Sequence, residues 1–334
     1  MPLVSSPGEV GAVDSSPTTR EARALADVRD ALRLVAGDSR ARQLLSETAA
    51  EPDPEGLLAS WLYGRWWCGP AAPTDPTPPS QRAAALGGAR LEAARRTSAP
   101  TSAGWLVLAA VGDVLVAARH DGRIRIDTHA VVASSRPGRP ARPGDLVTLQ
   151  HGSSSLDPSA AWWWAHAGRA DDLADSALDR WYVHARGLAS ACAVVPLLLE
   201  VATEVDCPLS LKCPPVEQGY GRRDALVAYL PRDASRRAET ALRQRARPLG
   251  VLLEPDVPPC TRRLLPGVAQ AEDPGARDGE AARSDTGVSY GQLRCSQVAA
   301  LAARLSGRSI SDRSLTAALA DLGMDTYAIE KVRR

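Results

Sequence analysis

The spacing of apolar residues predicts a helical beginning to the chain. From Arg20 to Ala36 apolar residues recur every three or four positions, which is the period of an amphipathic helix. Two further helices are predicted, over Glu55 to Trp67 and over Ser80 to Arg96, and Ser80 is the expected N-cap of the latter. The proline-rich segment 69–79 between them is typical of a linker or a surface loop.

From residue 104 the pattern changes to that of short β-strands. Turn signals at Gly112-Asp113 and Asp121-Gly122 separate runs that are rich in β-branched and apolar residues. The predicted strands are Trp105 to Ala109, Val114 to Ala118, Arg123 to Asp127 and Leu146 to His151. We expect them to form a small, partly closed β-module.

The second half of the chain mixes the two periods. The predicted strands are Asp179 to Gly187, Pro208 to Cys213, Ala225 to Leu230 and Val251 to Leu253. The predicted helices are Leu188 to Thr203, Arg236 to Ala246, Tyr290 to Leu305, Asp312 to Leu322 and a short one around Tyr327. Pro255 to Asp285 is predicted to be mostly irregular, as functional segments of compact domains often are.

These elements predict an α+β fold in three parts. Residues 1–18 are rich in Ser, Pro and Gly and are predicted to be a disordered tail. Residues 19–172 form a helical and β-rich N-terminal part, and residues 173–334 form a mixed α+β lobe that we expect to carry the chemistry.

Charge and composition narrow the function classes. Forty basic and thirty-nine acidic residues give a net charge of +1, so nothing indicates nucleic-acid or membrane-surface binding. No apolar run reaches the roughly 20 residues of a membrane helix, and the N-terminus does not resemble a secretory signal. Six scattered cysteines without a CxxC pair disfavour a zinc site and fit a reducing cytoplasm. We therefore expect a cytoplasmic protein with no metal.

Lysine is rare in this chain, and its position is informative. Only Lys212 and Lys331 are lysines, so arginine fills nearly every site that needs a positive charge. Because arginine stays protonated and lysine can act as a base, Lys212 in the chain interior is a candidate for catalysis. In LSLKC it shares a strand face with Ser210.

Three other polar residues alternate along the predicted strand WYVHARG. His184 is expected to project from the same face as Tyr182 and Arg186. A sheet face that carries both His184 and Lys212 would hold an acid and a base close together. A strand histidine is nevertheless more often structural, and Lys212 could equally protect a strand edge. The other four histidines and Trp162 to Trp164 are interpreted as structural.

The loop after Lys212 carries two adjacent arginines, Arg222 and Arg223, just before the next strand. Two guanidinium groups at the mouth of a sheet are suited to binding a phosphate dianion, although solvated turn residues are the alternative. Tyr229 follows farther along that strand.

These motifs resemble the HopA-type effector-like family, which comprises type III secretion proteins of plant pathogens with relatives in class V lanthipeptide and thioamitide gene clusters. The matching stretches, in order, are WYVHARG, LSLKC, YGRRDALVAYL, PGVAQAEDP and SYGQLRC. LYGRWWC near residue 65 resembles the family more loosely, so the resemblance extends over most of the chain from about residue 20.

The resemblance implies a lyase. It implies elimination of phosphate from phosphoserine or phosphothreonine of a precursor peptide, which gives dehydroalanine or dehydrobutyrine without a cofactor. A separate Ser/Thr kinase and a cyclase of the same pathway are the implied partners, and the N-terminal part is the expected docking place for a leader peptide. A non-catalytic phosphopeptide-binding protein and a kinase-activating scaffold are the alternatives.

A more distant likeness to phosphothreonine lyase effectors implies the roles of individual residues. In that family a strand histidine is the acid, a later strand lysine is the base and arginines hold the phosphate. The likeness implies His184 as acid, Lys212 as base, and Arg222 or Arg223 at the phosphate. The remaining residues expected to bind substrate are Tyr182, Arg186, Tyr229 and Arg294.

Overall fold

The architecture comes from a computed structural model of the chain. It describes residues 17–46, 53–72, 79–97, 101–119, 122–150, 153–167, 173, 176–274, 288–305 and 310–332. Of the tail expected over residues 1–18, only the last two residues are described, and they already belong to the first helix.

Helices predominate at the beginning of the described chain, as predicted. They are α1 (Pro17–Gly37), α2 (Ser39–Ser46), α3 (Pro54–Leu62) and α4 (Gln81–Arg96). The helix α3 continues as a π-helical turn, Tyr63–Trp67. Asp53 caps α3 by accepting the Gly56 N–H at 2.8 Å, and Ser80 caps α4 as expected by accepting the Ala83 N–H at 3.2 Å.

The β-module is confirmed as a separate sheet. Its strands are β1 (Thr101–Val111), β2 (Val114–Arg119), β3 (Gly122–Asp127), β4 (Val131–Ser134) and β5 (Leu146–Gln150). They form an antiparallel five-stranded sheet in the order β3-β2-β1-β5-β4. Its small core contains Trp105, Val107, Leu115 and Leu149, which alternate with exposed positions along their strands.

A second, seven-stranded antiparallel sheet organises the rest of the chain. Its strands are β6 (Ser153–Leu156), β7 (Trp163–Ala167), β8 (Leu178–Val183), β9 (Leu209–Cys213), β10 (Leu226–Pro231), β11 (Arg262–Leu265) and β12 (Val268–Glu272). The strand order is β11-β12-β8-β10-β9-β7-β6. Both β6 and β7 precede Leu173, so the sheet begins before the position at which the second lobe was expected to start.

Helices cover both faces of this sheet. They are α5 (Leu188–Glu204), α6 (Ser235–Gln244), α7 (Ala246–Gly250), α8 (Tyr290–Leu305), α9 (Asp312–Asp321) and a 3-10 turn, Thr326–Ala328. One face, with Trp181, packs against α5 to α7. The other face, with Tyr182 and Val227, shares a core with α1, α3, α8 and α9 that includes Trp67. The first and last helices thus meet over one sheet face, and the fold class is α+β as predicted.

The prediction that Pro255 to Asp285 is mostly irregular missed β11 and β12, which lie in its first part, and residues 275–285 lie outside the described residues. The strand β12 reads VAQAE and lies between β11 and β8, with four of its five residues buried. It therefore lacks the alternation of a half-buried strand. Gly267 makes the turn between the two strands at φ +75, where an added Cβ would lie 2.3 Å from the Glu254 carbonyl oxygen.

Two other strand predictions also need correction. The strand predicted over Asp179 to Gly187 ends at Val183. The strand predicted over Val251 to Leu253 is only a single bridge, between Leu253 and Ala185.

Candidate active site

Four of the predicted functional residues lie at one edge of the seven-stranded sheet. β8 and β9 both pair antiparallel with β10, which lies between them, so they run in the same direction and end at the same edge. Lys212 is the next-to-last residue of β9, and His184 directly follows β8. The loop with Arg222 and Arg223 enters β10 at this edge.

This edge has a Lys212 end, at β9, and a His184 end, at β8. The pairing registers with β10 give the distance between these two strands. Lys212 is opposite Val227, and Val227 is opposite Tyr182, two residues before His184. Since neighbouring strands are about 4.8 Å apart, β8 and β9 are separated by about 10 Å. Such a gap is too wide for a compact acid/base pair in direct contact, but it can accommodate a substrate residue between the two side chains.

Aromatic rings surround the Lys212 side chain, which is half-buried. Its Nζ lies 4.8 Å from the ring centroid of Trp162, 5.2 Å from that of Trp164 and 5.9 Å from that of Tyr229. Ring faces attract a cation at these distances. Trp164 is directly opposite Lys212 on β7. The tryptophans that the sequence analysis interpreted as packing residues therefore form the wall around the candidate base.

Arg222 lies at the Lys212 end of the edge and is rigidly held. Its Nε and Nη2 donate to the two carboxylate oxygens of Asp224 at 2.5 and 2.9 Å, and Nη2 also donates to the Tyr63 hydroxyl at 3.1 Å. The guanidinium lies 5.8 Å from the ring centroid of Trp162, the ring that Lys212 also contacts. Lys212 and Arg222 thus share one aromatic neighbour.

Asp224, which the sequence analysis missed, fixes this arrangement. Its carboxylate is buried and accepts further hydrogen bonds from Tyr63 Oη at 3.0 Å and Trp67 Nε1 at 3.2 Å. Burial acts to raise its pKa, but Arg222 and these donors outweigh burial and hold the pKa of Asp224 below its usual value. An ionised carboxylate therefore anchors Arg222. In the sequence, the position of Asp224 directly after Arg222 and Arg223 could have indicated an ion pair with one of them.

Arg223 points to the His184 end. Its Nη1 donates to the Trp66 carbonyl at 3.0 Å, and its Nη2 lies 3.8 Å from the Asp256 carboxylate. Gly69 (φ +97) packs against it so closely that an added Cβ would lie 3.3 Å from the Arg223 Nε. The two adjacent arginines therefore diverge, one to each candidate catalytic residue.

His184 is only 8% exposed, with Nδ1 3.2 Å from the backbone oxygen of Asp256. A proton on Nδ1 would be donated to that oxygen, which leaves Nε2 for a substrate. Burial lowers the pKa of His184, and the Asp256 carbonyl opposes this shift only in part. The ring thus favours the neutral form until an anion binds beside it.

Tyr182 and Arg186 do not share a strand face with His184 in the way predicted. Tyr182 is buried against Trp67, with ring centroids 5.5 Å apart, and its hydroxyl has no hydrogen-bond partner among the described residues. Arg186 lies beyond the end of β8 and turns towards Glu254, at 3.4 Å. The predicted alternation failed because the strand ends at Val183.

Arg294 lies away from this edge. It is fully buried in α8 and donates to the Ile329 carbonyl at 2.6 Å and to the Lys331 carbonyl. It fixes the last described turn of the chain, and its side chain is too enclosed to contact a peptide.

Further polar residues extend the aromatic wall along the sheet. Arg180, two residues before Tyr182 on β8, lies 5.2 Å from the Tyr229 ring centroid and pairs with Asp273 at 3.0 Å. Arg180 precedes Tyr182 by two residues, so the same alternation that pointed to Tyr182 and His184 could also have pointed to Arg180. On the other side His166 Nδ1 lies 2.6 Å from the Ser210 hydroxyl.

The described residue ranges hold neither a metal-binding cluster nor a membrane-spanning helix. They contain no group of three or more His, Cys, Asp or Glu side chains arranged to hold a metal ion. None of their helices is long and apolar enough to cross a membrane.

Comparison with known proteins identifies one family. The HopA1 effector protein family matches residues 159–328, a range that contains Lys212, His184 and both arginines. No curated protein matches the chain.

Two solved structures are similar in fold. The effector protein from Pseudomonas syringae pv. syringae strain 61 has 14% identity and a TM-score of 0.46, over 94% of this chain and 99% of that one. The effector protein from Pseudomonas syringae pv. tomato strain DC3000 has 12% identity and a TM-score of 0.43, over 93% and 99%.

Proposed function

The chain belongs to the HopA1 effector protein family, and we propose that it is a lyase that eliminates phosphate from phosphoserine or phosphothreonine in a peptide. One observation carries the proposal. A lysine and a histidine lie at one sheet edge on strands about 10 Å apart, with Arg222 near the lysine and Arg223 near the histidine.

Each group has a defined part in the reaction. Lys212 Nζ takes the proton from Cα, and the electron pair of that C–H bond forms the Cα=Cβ double bond. The Cβ–O bond breaks, and His184 gives the proton on Nε2 to the departing phosphate oxygen. Arg223 stabilises the charge on the phosphate, and Arg222, paired with Asp224, keeps the surroundings of Lys212 in place. The products are dehydroalanine or dehydrobutyrine and inorganic phosphate, with no change that requires an oxidant or reductant.

The chemistry also indicates which reactions precede and follow this step. A Ser/Thr kinase must supply the phosphorylated peptide, and a cyclase that adds a nucleophile to the alkene would consume the product. This sequence of reactions fits the maturation of a lanthipeptide or thioamitide precursor, the setting that the family resemblance implies. The aromatic wall formed by Trp162, Trp164 and Tyr229 would exclude water from the carbanion that develops at Cα.

A second candidate function is non-catalytic phosphopeptide binding, alone or as part of a kinase-activating scaffold. The observation that favours it is the lowered pKa of His184, which burial causes and which disfavours the protonated ring that an acid needs. A bound phosphate dianion acts in the opposite direction, because a nearby negative charge stabilises the imidazolium.

One assay distinguishes these functions. The purified protein is incubated with a phosphoserine peptide and with the same peptide carrying serine, and peptide mass and inorganic phosphate are measured. The proposal predicts phosphate release together with an alkene that adds thiols, only from the phosphorylated peptide. Binding without release supports the non-catalytic alternative. Phosphate release that regenerates serine identifies a phosphatase and overturns the elimination.

A further inference from the structure

A cavity of about 650 Å³ lies beyond the His184 end of the sheet edge. Its walls come from α1, the π-helical turn and the segment that leads to β11, so the first helix and the second half of the chain both contribute. Trp66, Pro70 and Val257 give it an apolar side. This volume is in the range of sites that bind small ligands or side chains.

Arginines outnumber carboxylates around this cavity. The arginines are Arg23, Arg65, Arg223 and Arg263, and the carboxylates are Asp27, Asp30 and Asp256. A cavity lined with an excess of guanidinium groups is suited to an oxyanion, because each planar guanidinium can donate two parallel hydrogen bonds to carboxylate or phosphate oxygens.

The three carboxylates already have partners of their own. Asp27 accepts the Cys260 N–H at 2.8 Å, and burial raises its pKa. Asp30 pairs with Arg33 at 2.8 Å, a residue that does not line the cavity. Asp256 is 66% exposed and lies 3.8 Å from Arg223, so water can replace Arg223 as its neighbour.

One cavity arginine stands out because nothing described neutralises it. Arg65 is exposed on the π-helical turn and makes no hydrogen bond or ion pair with any residue that the structure describes. Its neighbour in the chain, Trp66, accepts the hydrogen bond from Arg223, so the two guanidinium groups border the same wall. An anion between them would gain two charge-assisted partners.

The cavity adjoins the proposed active site through shared residues. Arg223 lines the cavity and acts electrostatically on His184, and Asp256 lines it while its backbone carbonyl contacts the His184 ring. A peptide whose phosphorylated residue lies between Lys212 and His184 could therefore place a neighbouring side chain in this cavity.

We propose that the cavity binds an anionic side chain of the substrate peptide, a carboxylate or a phosphate ester, next to the residue that reacts. The inference rests on the proposed function in one respect, namely that the ligand is a peptide. It adds a specificity site that adjoins the proposed active site and shares Arg223 with it.

The test measures binding of peptides that cannot react. Fluorescein-labelled peptides carry alanine at the reacting position, and glutamine, glutamate or a non-eliminable phosphonate analogue of phosphoserine at successive flanking positions. The wild type should bind at least one anionic peptide about tenfold more tightly than its glutamine counterpart, a difference of about 1.4 kcal/mol. The glutamate and phosphonate arms show which oxyanion the cavity prefers.

Arg65→Gln should abolish this preference, because the exposed side chain can be replaced without disturbing the core. Arg125→Gln, an exposed arginine of β3, is the matched control and should retain it. Equal binding of anionic and neutral peptides by the wild type, or an undiminished preference in Arg65→Gln, overturns the inference. A charge preference without elimination of a phosphoserine peptide would reject the proposed function but leave this inference intact, and the converse would reject the inference alone.

Discussion

The two ends of the sheet edge differ in how firmly their arginines are held. At the Lys212 end, Arg222 makes a two-point ion pair with the buried carboxylate of Asp224. At the His184 end, Arg223 has one backbone carbonyl and a carboxylate 3.8 Å away. Two adjacent residues of one loop thus form a fixed end and an adaptable end.

This difference suggests that the two arginines have different roles. A guanidinium locked in plane by a carboxylate cannot rotate towards a ligand without losing a buried ion pair, so Arg222 is suited to keeping Lys212 and the aromatic wall in place. Arg223 can exchange its distant carboxylate for a phosphate at small cost. We expect substitutions at the fixed end to affect chemistry and stability, and substitutions at the adaptable end to affect binding.

The largest effect is expected from Lys212→Arg. The variant keeps the positive charge among the aromatic rings but removes the base, so elimination should fall by about 10³–10⁴-fold while phosphopeptide binding persists. Single-turnover kinetics and fluorescence anisotropy measure the two quantities. Lys331→Arg changes the other lysine, which is exposed, and should leave both unchanged. Substantial turnover by Lys212→Arg would remove Lys212 from the mechanism.

His184→Ala should slow elimination by about 10²–10⁴-fold, because the leaving oxygen loses its proton donor. The pH profile separates this role from a structural one. Since burial lowers the pKa of His184, the protonated fraction of the free enzyme decreases as the pH rises through that lowered value. In the wild type kcat/KM should decline over that range, and in His184→Ala the decline should disappear. A decline that persists in the variant belongs to another group.

Asp224→Asn should destabilise the fold, because it leaves the half-buried Arg222 guanidinium without its counter-charge. Breaking such a pair typically costs about 3–5 kcal/mol, which urea unfolding would measure. The contribution of Asp224 is present above the unfolded pKa of about 3.9 and is lost as the pH falls through its lower native pKa, so the variant should also lose this acid dependence. Asp256→Asn, at a largely exposed carboxylate, is the control and should change stability by less than about 0.5 kcal/mol.

Arg223→Gln should have the smallest effect, a loss of about tenfold in phosphopeptide affinity with little change in stability. One charge-assisted hydrogen bond contributes about 1.5–3 kcal/mol, which is consistent with such a loss. Isothermal titration with phosphorylated and unphosphorylated peptides checks it. If the variant binds the phosphopeptide as tightly as the wild type does, Arg223 is not a phosphate ligand.

Much of the fold could be predicted from periodicity, and the failures have physical causes. The helices α1, α3 and α4 and the five-stranded sheet follow amphipathic or alternating patterns, and Ser80 caps α4 as expected. The strand β12 was missed because both of its faces are buried, which removes the alternation and leaves a short segment with the polar Gln270 at its centre.

The candidate site was predictable residue by residue but not as an arrangement. The rarity of lysine singled out Lys212, and the adjacent arginines were visible as a pair. The sequence offered no reason to expect that Arg222 and Arg223 diverge, since that depends on Asp224 and on a helix more than 150 residues earlier in the chain. Arg294 lies in the conspicuous SYGQLRC stretch, but its side chain is buried and donates to the Ile329 carbonyl.

The central claim is that the protein breaks a Cα–H bond as phosphate leaves. The most direct test uses a phosphoserine peptide that carries deuterium at Cα, with mass spectrometry of the peptide and measurement of phosphate in the presence of a thiol. The account predicts one deuterium lost for each phosphate released, a thiol adduct on the product, and neither event with Lys212→Arg. Phosphate release with the deuterium retained and serine regenerated would contradict it.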